Sequence, residues 1–349
     1  MIPHSKPTIT QHDIEAVAKV LQSGMIAQGE KVAEFENRLA SFIGKKYAIA
    51  CSSGTSALHL ALLSLDIRVN DEVILPSYVC SSPYLACTYV GANSQIADID
   101  PLDFNISSES VKNLKSSRCK AVIVPHLFGT PAELDEFMDE GIPIVEDCAQ
   151  SIGAIYRGRK VGTFGAFSIF SFYATKMITT GEGGMLLTDD VELYERAQEL
   201  RDYDQKSLTP VRYNYKMTDF QAALGISQLS QIESFIERRQ EIASLYTERL
   251  SNSKVKLPRI SSHKKSVFYR YVIMIRELEK RRNALLKMGI TCERPVFLPL
   301  HRSVAGCKCP QSDEVYAHAL SIPLYPALSS EEVMYVMDCL CKVLEGTDK

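Results

Sequence analysis

Six short apolar runs, at residues 47–50, 73–75, 121–124, 142–145, 167–172 and 185–187, constrain the fold more than any other feature, because none of them alternates with polar residues. A strand with one wetted face alternates, so these runs predict strands covered on both faces. Between them lie segments with apolar residues at helical spacing. Strands alternating with helices predict a mainly parallel sheet flanked by helices, an α/β fold.

At the front, Thr10 and Asp13 form a capping pair before Ile14, Val17, Val20 and Leu21, and a second helical stripe, Val32, Phe35, Leu39 and Phe42, stops at Gly44. A long helical pattern runs from about residue 218 to about 250. The texture then changes to a β-rich run over 267–275, a charged helix ending near Gly289, and a final helix led by Ser329 and Glu332. This divides the 349 residues into a large domain over 14–235 and a smaller C-terminal α+β domain over 236–349, with segment 1–13 joining the latter.

Composition excludes several classes of function. With 46% hydrophobic and 23% charged residues the chain is an ordinary globular one. A net charge of −3 leaves no electrostatic footprint for nucleic acid or an anionic membrane. Ten cysteines without a C-x-x-C pair, and with Cys307/Cys309 and Cys339/Cys341 at a spacing that suits no common zinc site, predict reduced thiols in a cytoplasm and no metal. No apolar run follows the N-terminus, so secretion is not expected. The longest uncharged stretch, 73–97, contains Ser, Pro, Gly, Asn and Gln and is read as a core strand plus an active-site loop rather than a membrane span.

Three segments carry chemistry. SSGTSALHLAL, at 52–62, follows a strand with a Gly-containing turn and a helix start, which is either a simple cap or an anion site at Gly54, Thr55 and Ser56. IPIVEDCAQ, at 142–150, ends a strand in Glu146-Asp147, where parallel sheets place ligands; helix capping is the plain alternative. FSIFSFYATKMITTGEGG, at 167–184, leads through Ser171 to a single Lys176 among uncharged residues, either a solvated loop lysine or an amine nucleophile activated by desolvation. Together they match the needs of pyridoxal phosphate: a phosphate cradle (Gly54, Thr55), an acid partner for the pyridine nitrogen (Asp147) and a Schiff-base lysine (Lys176).

The blocks SSGTSAL, DEVILPSY, EDCAQSIGA, SFYATKMITTGEGGM and RYNYKMTDFQAALG, in this order, resemble the DegT/DnrJ/EryC1/StrS family of sugar aminotransferases, within fold type I of the pyridoxal phosphate enzymes. The resemblance extends from Ile2-Pro3 to SIPLYP at 321–326. It implies Lys176 as the Schiff-base lysine, Asp147 as the ring-nitrogen partner and Gln150 as the partner of the ring hydroxyl. It implies Thr55, the Gly54 backbone and Ser171 as phosphate ligands, and Asn214 as a phosphate ligand reaching from the other subunit of a homodimer with shared active sites. The implied reaction is ping-pong transfer of the amino group of L-glutamate, with pyridoxamine 5'-phosphate between the half-reactions, to a keto group of a nucleotide-linked deoxysugar.

Two positions depart from the family pattern. Cys80 stands where an aromatic residue usually stacks on the cofactor ring, which leaves Cys80 itself, Tyr78 or Tyr84 to cover that face. Arg212 stands where a glycine often precedes the Tyr-Asn pair. A related branch carries histidine in place of the lysine and performs dehydration; Lys176 argues against it. His126, His301, Arg294 and Arg302 are either substrate-site residues or structural ones. An inositol-like keto substrate and a non-catalytic regulatory homologue are the competing readings.

Overall fold

The computed structural model describes residues 1–345 except Lys254 and Ala305. All six apolar runs are strands, and a seventh joins them: β1 (Tyr47–Cys51), β2 (Glu72–Pro76), β3 (Asn93–Ala97), β4 (Cys119–Pro125), β5 (Ile144–Asp147), β6 (Phe167–Ser171) and β7 (Gly184–Thr188). They form one sheet in the order β1-β7-β6-β5-β4-β2-β3. From β6 to β3 every pairing is parallel, and β7 alone runs antiparallel, between β6 and β1. Every residue of β2, β5 and β7 is buried, as unalternating strands require when helices cover both faces.

The stretch 73–97 is more than a strand and a loop. It holds β2, a helix (Ser82–Val90) and β3. The strand β3 escapes a reading by hydropathy because it lies at the sheet edge, where Asn93, Ser94 and Gln95 stay partly exposed. The pattern over 218–250 is also two helices, Asp219–Ser230 and Ile232–Leu250, broken at Gln231. The second of these links two cores: Ile232, Phe235 and Ile236 pack with the sheet helices, while Ile242, Ala243, Tyr246 and Leu250 pack with the C-terminal elements.

Those elements are built on a two-stranded antiparallel sheet, β8 (Tyr271–Met274) with β9 (Ala319–Ile322). The β-rich run at 267–275 is a strand only from Tyr271. Phe268 takes a left-handed φ of 47°, which bends the chain before it. The N-terminal segment lies along this region: Ile2 pairs with Ile290, its N–H donating to the Gly289 carbonyl at 2.7 Å. The last helix, Ser330–Glu345, starts from a reciprocal cap of Ser329 and Glu332 and buries Val333, Val336, Met337 and Leu340. All ten cysteines are free thiols. Among the described residues no helix is long and apolar enough to cross a membrane.

Candidate active site

The carboxyl ends of the central strands and the start of the helix after β1 converge on one place. Ser53, in extended conformation, caps the helix Gly54–Ser64 by accepting the Ser56 N–H at 3.0 Å. Among the described residues nothing accepts the N–H groups of Gly54 or Thr55, so the positive end of the helix is left with two open donors. Gly54 is required by contact: a Cβ there would lie 2.9 Å from the Ser171 Cβ at the end of β6. The Thr55 hydroxyl is 2.7 Å from that of Ser82. Gly54 and Ser171 are thus neighbours although 117 positions separate them in the chain, and only the folding of the sheet brings them together. Gly54→Ala is expected to push Ser171 aside and weaken uptake of pyridoxal phosphate about 10- to 100-fold, at a stability cost of about 1–3 kcal/mol. Absorbance titration together with thermal melting measures both, and unchanged uptake would remove this turn from the site.

Asp147 closes β5, opposite Pro125 of β4 and Ile169 of β6. Its Oδ1 accepts the Ala149 N–H at 3.0 Å, and the other oxygen meets no donor among the described residues. Burial raises its pKa; the Ala149 N–H and the charge of Lys176 act in the opposite direction. Glu146, one residue earlier, faces the opposite side of the strand. It is fully buried and accepts the N–H groups of Gly162, Phe164 and Gly165, each at 2.7 Å. Burial pushes this carboxyl up, but the His126 bond and the backbone donors hold it below the ordinary range. His126 is a structural residue: Nδ1 accepts the Ala132 N–H at 3.1 Å, so Nε2 carries the proton toward Glu146 at 3.2 Å. Ligand atoms of His126, Glu146 and Cys148 lie within 4.8 Å of one another, a cluster that these backbone donors already engage.

Lys176 follows β6 in a turn, and its Nζ makes no hydrogen bond or ion pair among the described residues. Instead it lies 5.4 Å from the ring centroid of Tyr269. Burial raises the Tyr269 phenol, but the charges of Lys176 and Arg270 and the Thr175 hydroxyl at 3.3 Å outweigh it and bring the pKa down to about 8. The same Lys176 charge acts on Asp147 and on Cys80, which places all three in one electrostatic neighbourhood. The Cys80 thiol opens to solvent at one side yet is walled by protein, and that burial raises its pKa. Gln150 accepts the Phe128 N–H at 2.9 Å through Oε1, which fixes the amide and leaves its NH₂ as a donor. Phe128 itself is held at a left-handed φ of 58°.

Of the three residues that could cover a ring at position 80, Tyr78 is excluded by its place wholly inside the core. Tyr84 packs on that same core from the helix Ser82–Val90, and Cys80 is the one that senses Lys176 and Asp147. Asn214 is exposed and makes no hydrogen bond to another described residue. Arg212 clamps its own loop, donating to Glu199 at 2.7 Å and to the Pro210 carbonyl at 3.1 Å. His301 is buried, 2.5 Å from the Ser77 hydroxyl, and Arg294 and Arg302 pair with Glu279 and Asp313 while stacking on Tyr316. These ion pairs make the two arginines structural partners. Tyr269, which borders Lys176, carried no sequence signal beyond membership of a β-rich run.

The donor set fits pyridoxal phosphate: open N–H groups at a helix start for a phosphate, an open carboxylate oxygen for a protonated ring nitrogen, a spare amide donor for the ring oxygen and an unpaired amine. A model of the DegT/DnrJ/EryC1/StrS aminotransferase family matches residues 7–341. The chain is 35% identical over 359 residues to GDP-perosamine synthase of Escherichia coli O157:H7, covering 97% of each. It superposes on the aminotransferase TlmJ from Streptoalloteichus hindustanus with a TM-score of 0.95 at 29% identity, over 100% of both chains. The PLP form of Spr1654 from Streptococcus pneumoniae gives 0.93 at 28% identity over 99% of both.

Proposed function

The chain belongs to the DegT/DnrJ/EryC1/StrS aminotransferase family and is a transferase enzyme, and from that premise we propose that it moves the amino group of L-glutamate to a keto group of a nucleotide-linked deoxysugar. The observation that carries this reading is the single amine of Lys176 acting on the buried Asp147 carboxyl beside an open helix start. Relatives that are nucleotide-sugar aminotransferases support the acceptor class.

In this reading the Gly54 and Thr55 N–H groups, with the hydroxyls of Thr55 and Ser171, bind the phosphate. The Asp147 carboxylate keeps the pyridine nitrogen protonated, and the Gln150 amide donates to the ring oxygen. Cys80 covers the ring face that an aromatic residue covers in other members. When bound, pyridoxal phosphate supplies an electron-withdrawing ring that accepts the electron pair left on the donor carbon. Lys176 Nζ is the amine that would hold the cofactor through its aldehyde carbon. The same amine would take up and hold the proton from the donor's α-carbon, a transfer within one residue's reach. The order is ping-pong: 2-oxoglutarate leaves before the keto sugar receives the amino group.

Incubating the cofactor-loaded protein with L-glutamate alone tests this. One equivalent of 2-oxoglutarate per active site, followed by amination of an added nucleotide keto-sugar, is the expected result; cofactor bound without release of any 2-oxoglutarate would refute it. A homodimer with shared sites is part of the same proposal. The exposed Asn214 supports it, as does a cleft of about 790 Å³ bordered by the helices Gln11–Ser23 and Glu30–Ile43, with exposed Met25 and Ile26 and without Lys176 in its wall. Sedimentation equilibrium is expected to give twice 38.9 kDa, and a mixture of Lys176→Ala and Asn214→Ala subunits to regain activity; a monomer, or no regain, counts against shared sites.

A further inference from the structure

We infer that Arg270 recognises the carboxylate of the amino donor, receiving it on the guanidinium while Tyr269 keeps Lys176 alongside; the inference rests on the aminotransferase reading above. Tyr269 is the common neighbour of two cations. Lys176 Nζ lies 5.4 Å from its ring centroid and the Arg270 guanidinium carbon 5.2 Å. Arginines 294 and 302 each have a carboxylate partner, whereas Arg270 has none within 4.0 Å among the described residues. Its Nη1 meets the His4 ring instead, 3.2 Å from Nε2. That ring is neutral, because burial first and the Arg270 charge second press its pKa down to about 3. A half-buried guanidinium whose polar neighbours are a neutral imidazole and a phenol carries an uncompensated charge, and such a charge gains most from an incoming planar anion.

The position is held rigidly. Arg239, fully buried, donates to the carbonyls of Phe268 at 3.4 Å, Tyr269 at 3.1 Å and Leu324 at 3.0 Å, and so fastens the segment to the helix Ile232–Leu250. The Arg270 N–H donates to the Phe128 carbonyl at 3.3 Å, and Phe128 is the residue whose N–H fixes Gln150. One bent segment, with Phe268 at a φ of 47°, therefore sets Tyr269 and Arg270 against the elements that carry the cofactor-site residues.

An oxyanion at Arg270 has two sources in this reaction, the donor's α-carboxylate or the diphosphate of the acceptor. The α-carboxylate sits on the carbon that bears the reacting amine, so it must bind close to Lys176. A whole hexose ring separates the acceptor's anomeric diphosphate from a keto carbon on its far side. Proximity to Lys176 through a single shared ring favours the carboxylate.

The test uses the cofactor-loaded protein and the variants Arg270→Gln and Arg270→Lys. Calorimetric titration with glutarate, a dicarboxylate without an amine, reads the anion site apart from turnover. The rate of the cofactor's absorbance change is followed with L-glutamate and with 1-phenylethylamine, which has no carboxylate. Arg270→Gln is expected to weaken glutarate and glutamate about 30-fold, in line with loss of charge-assisted hydrogen bonds, and to leave the 1-phenylethylamine rate within about threefold of the parent. Arg270→Lys is expected to recover part of the loss. Equal loss with both amines would make Arg270 merely structural, and a loss confined to the nucleotide-sugar half-reaction would assign it to the diphosphate; either overturns the inference. A parent protein that binds cofactor and glutarate but converts neither amine overturns the aminotransferase reading, while the glutarate titration of the variants still decides whether Arg270 is the anion site.

Discussion

Lys176→Ala is expected to lower turnover by at least about 10⁴-fold, because in the proposed mechanism the substitution removes both the Schiff-base amine and the base that carries the proton. The surroundings give the lysine no substitute. Among the described residues its Nζ makes no ion pair that another cation could inherit, and the ring it faces, Tyr269, is a phenol rather than an amine. The phosphate cradle and Asp147 are untouched by the change, so the variant is expected to take up pyridoxal phosphate without a covalent link. Borohydride reduction and peptide mapping make the distinction: the parent should carry the label on Lys176 and the variant none. A label on another lysine, or turnover within about tenfold of the parent, would remove Lys176 from the chemistry.

Asp147→Asn is expected to cost about 10²- to 10³-fold in the glutamate half-reaction, the size of effect seen when a buried charged partner is removed. The fold should survive, since an Asn oxygen still accepts the Ala149 N–H that Asp147 accepts at 3.0 Å. The pH dependence has a definite sign. Burial raises the Asp147 pKa in the cofactor-free protein, and cofactor uptake needs the ionised form. Uptake should therefore weaken as pH falls through that raised value, at a higher pH than for an ordinary aspartate, and Asp147→Asn should lack this acid limb. The same shift destabilises the cofactor-free fold: the cost is absent below the unfolded-state value, where both states are protonated, and sets in as pH rises through the folded value. Melting curves of parent and variant without cofactor should thus converge in acid and diverge toward neutral pH in the variant's favour. A parent equally stable relative to the variant across that range would show that the Asp147 charge is not strained.

Much of the fold was legible because parallel strands buried on both faces leave runs without alternation, and all six such runs became strands. The edge strand β3 was not, since an edge needs no apolar continuity. The break at Gln231 was hidden because two consecutive helices share one periodicity across it. Within the candidate site, the turn at Gly54, the strand end at Asp147 and the lone Lys176 are local patterns, readable one at a time. His126 resisted: its sequence neighbours do not reveal that Glu146 and the Ala132 N–H occupy both ring nitrogens.

The sequence by itself determined the layered α/β plan and supplied the residue types of the proposed pyridoxal phosphate site, because strand burial and helix capping are set by neighbours a few positions apart. Only the tertiary structure decided that Gly54 touches Ser171, that Tyr78 is sealed in the core while Cys80 senses Lys176, and that Arg270, beside the ring Lys176 faces, has no carboxylate partner among the described residues. Those relations join segments brought together by sheet order and by one bend at Phe268, and long-range packing of that kind leaves no periodicity in the chain to read.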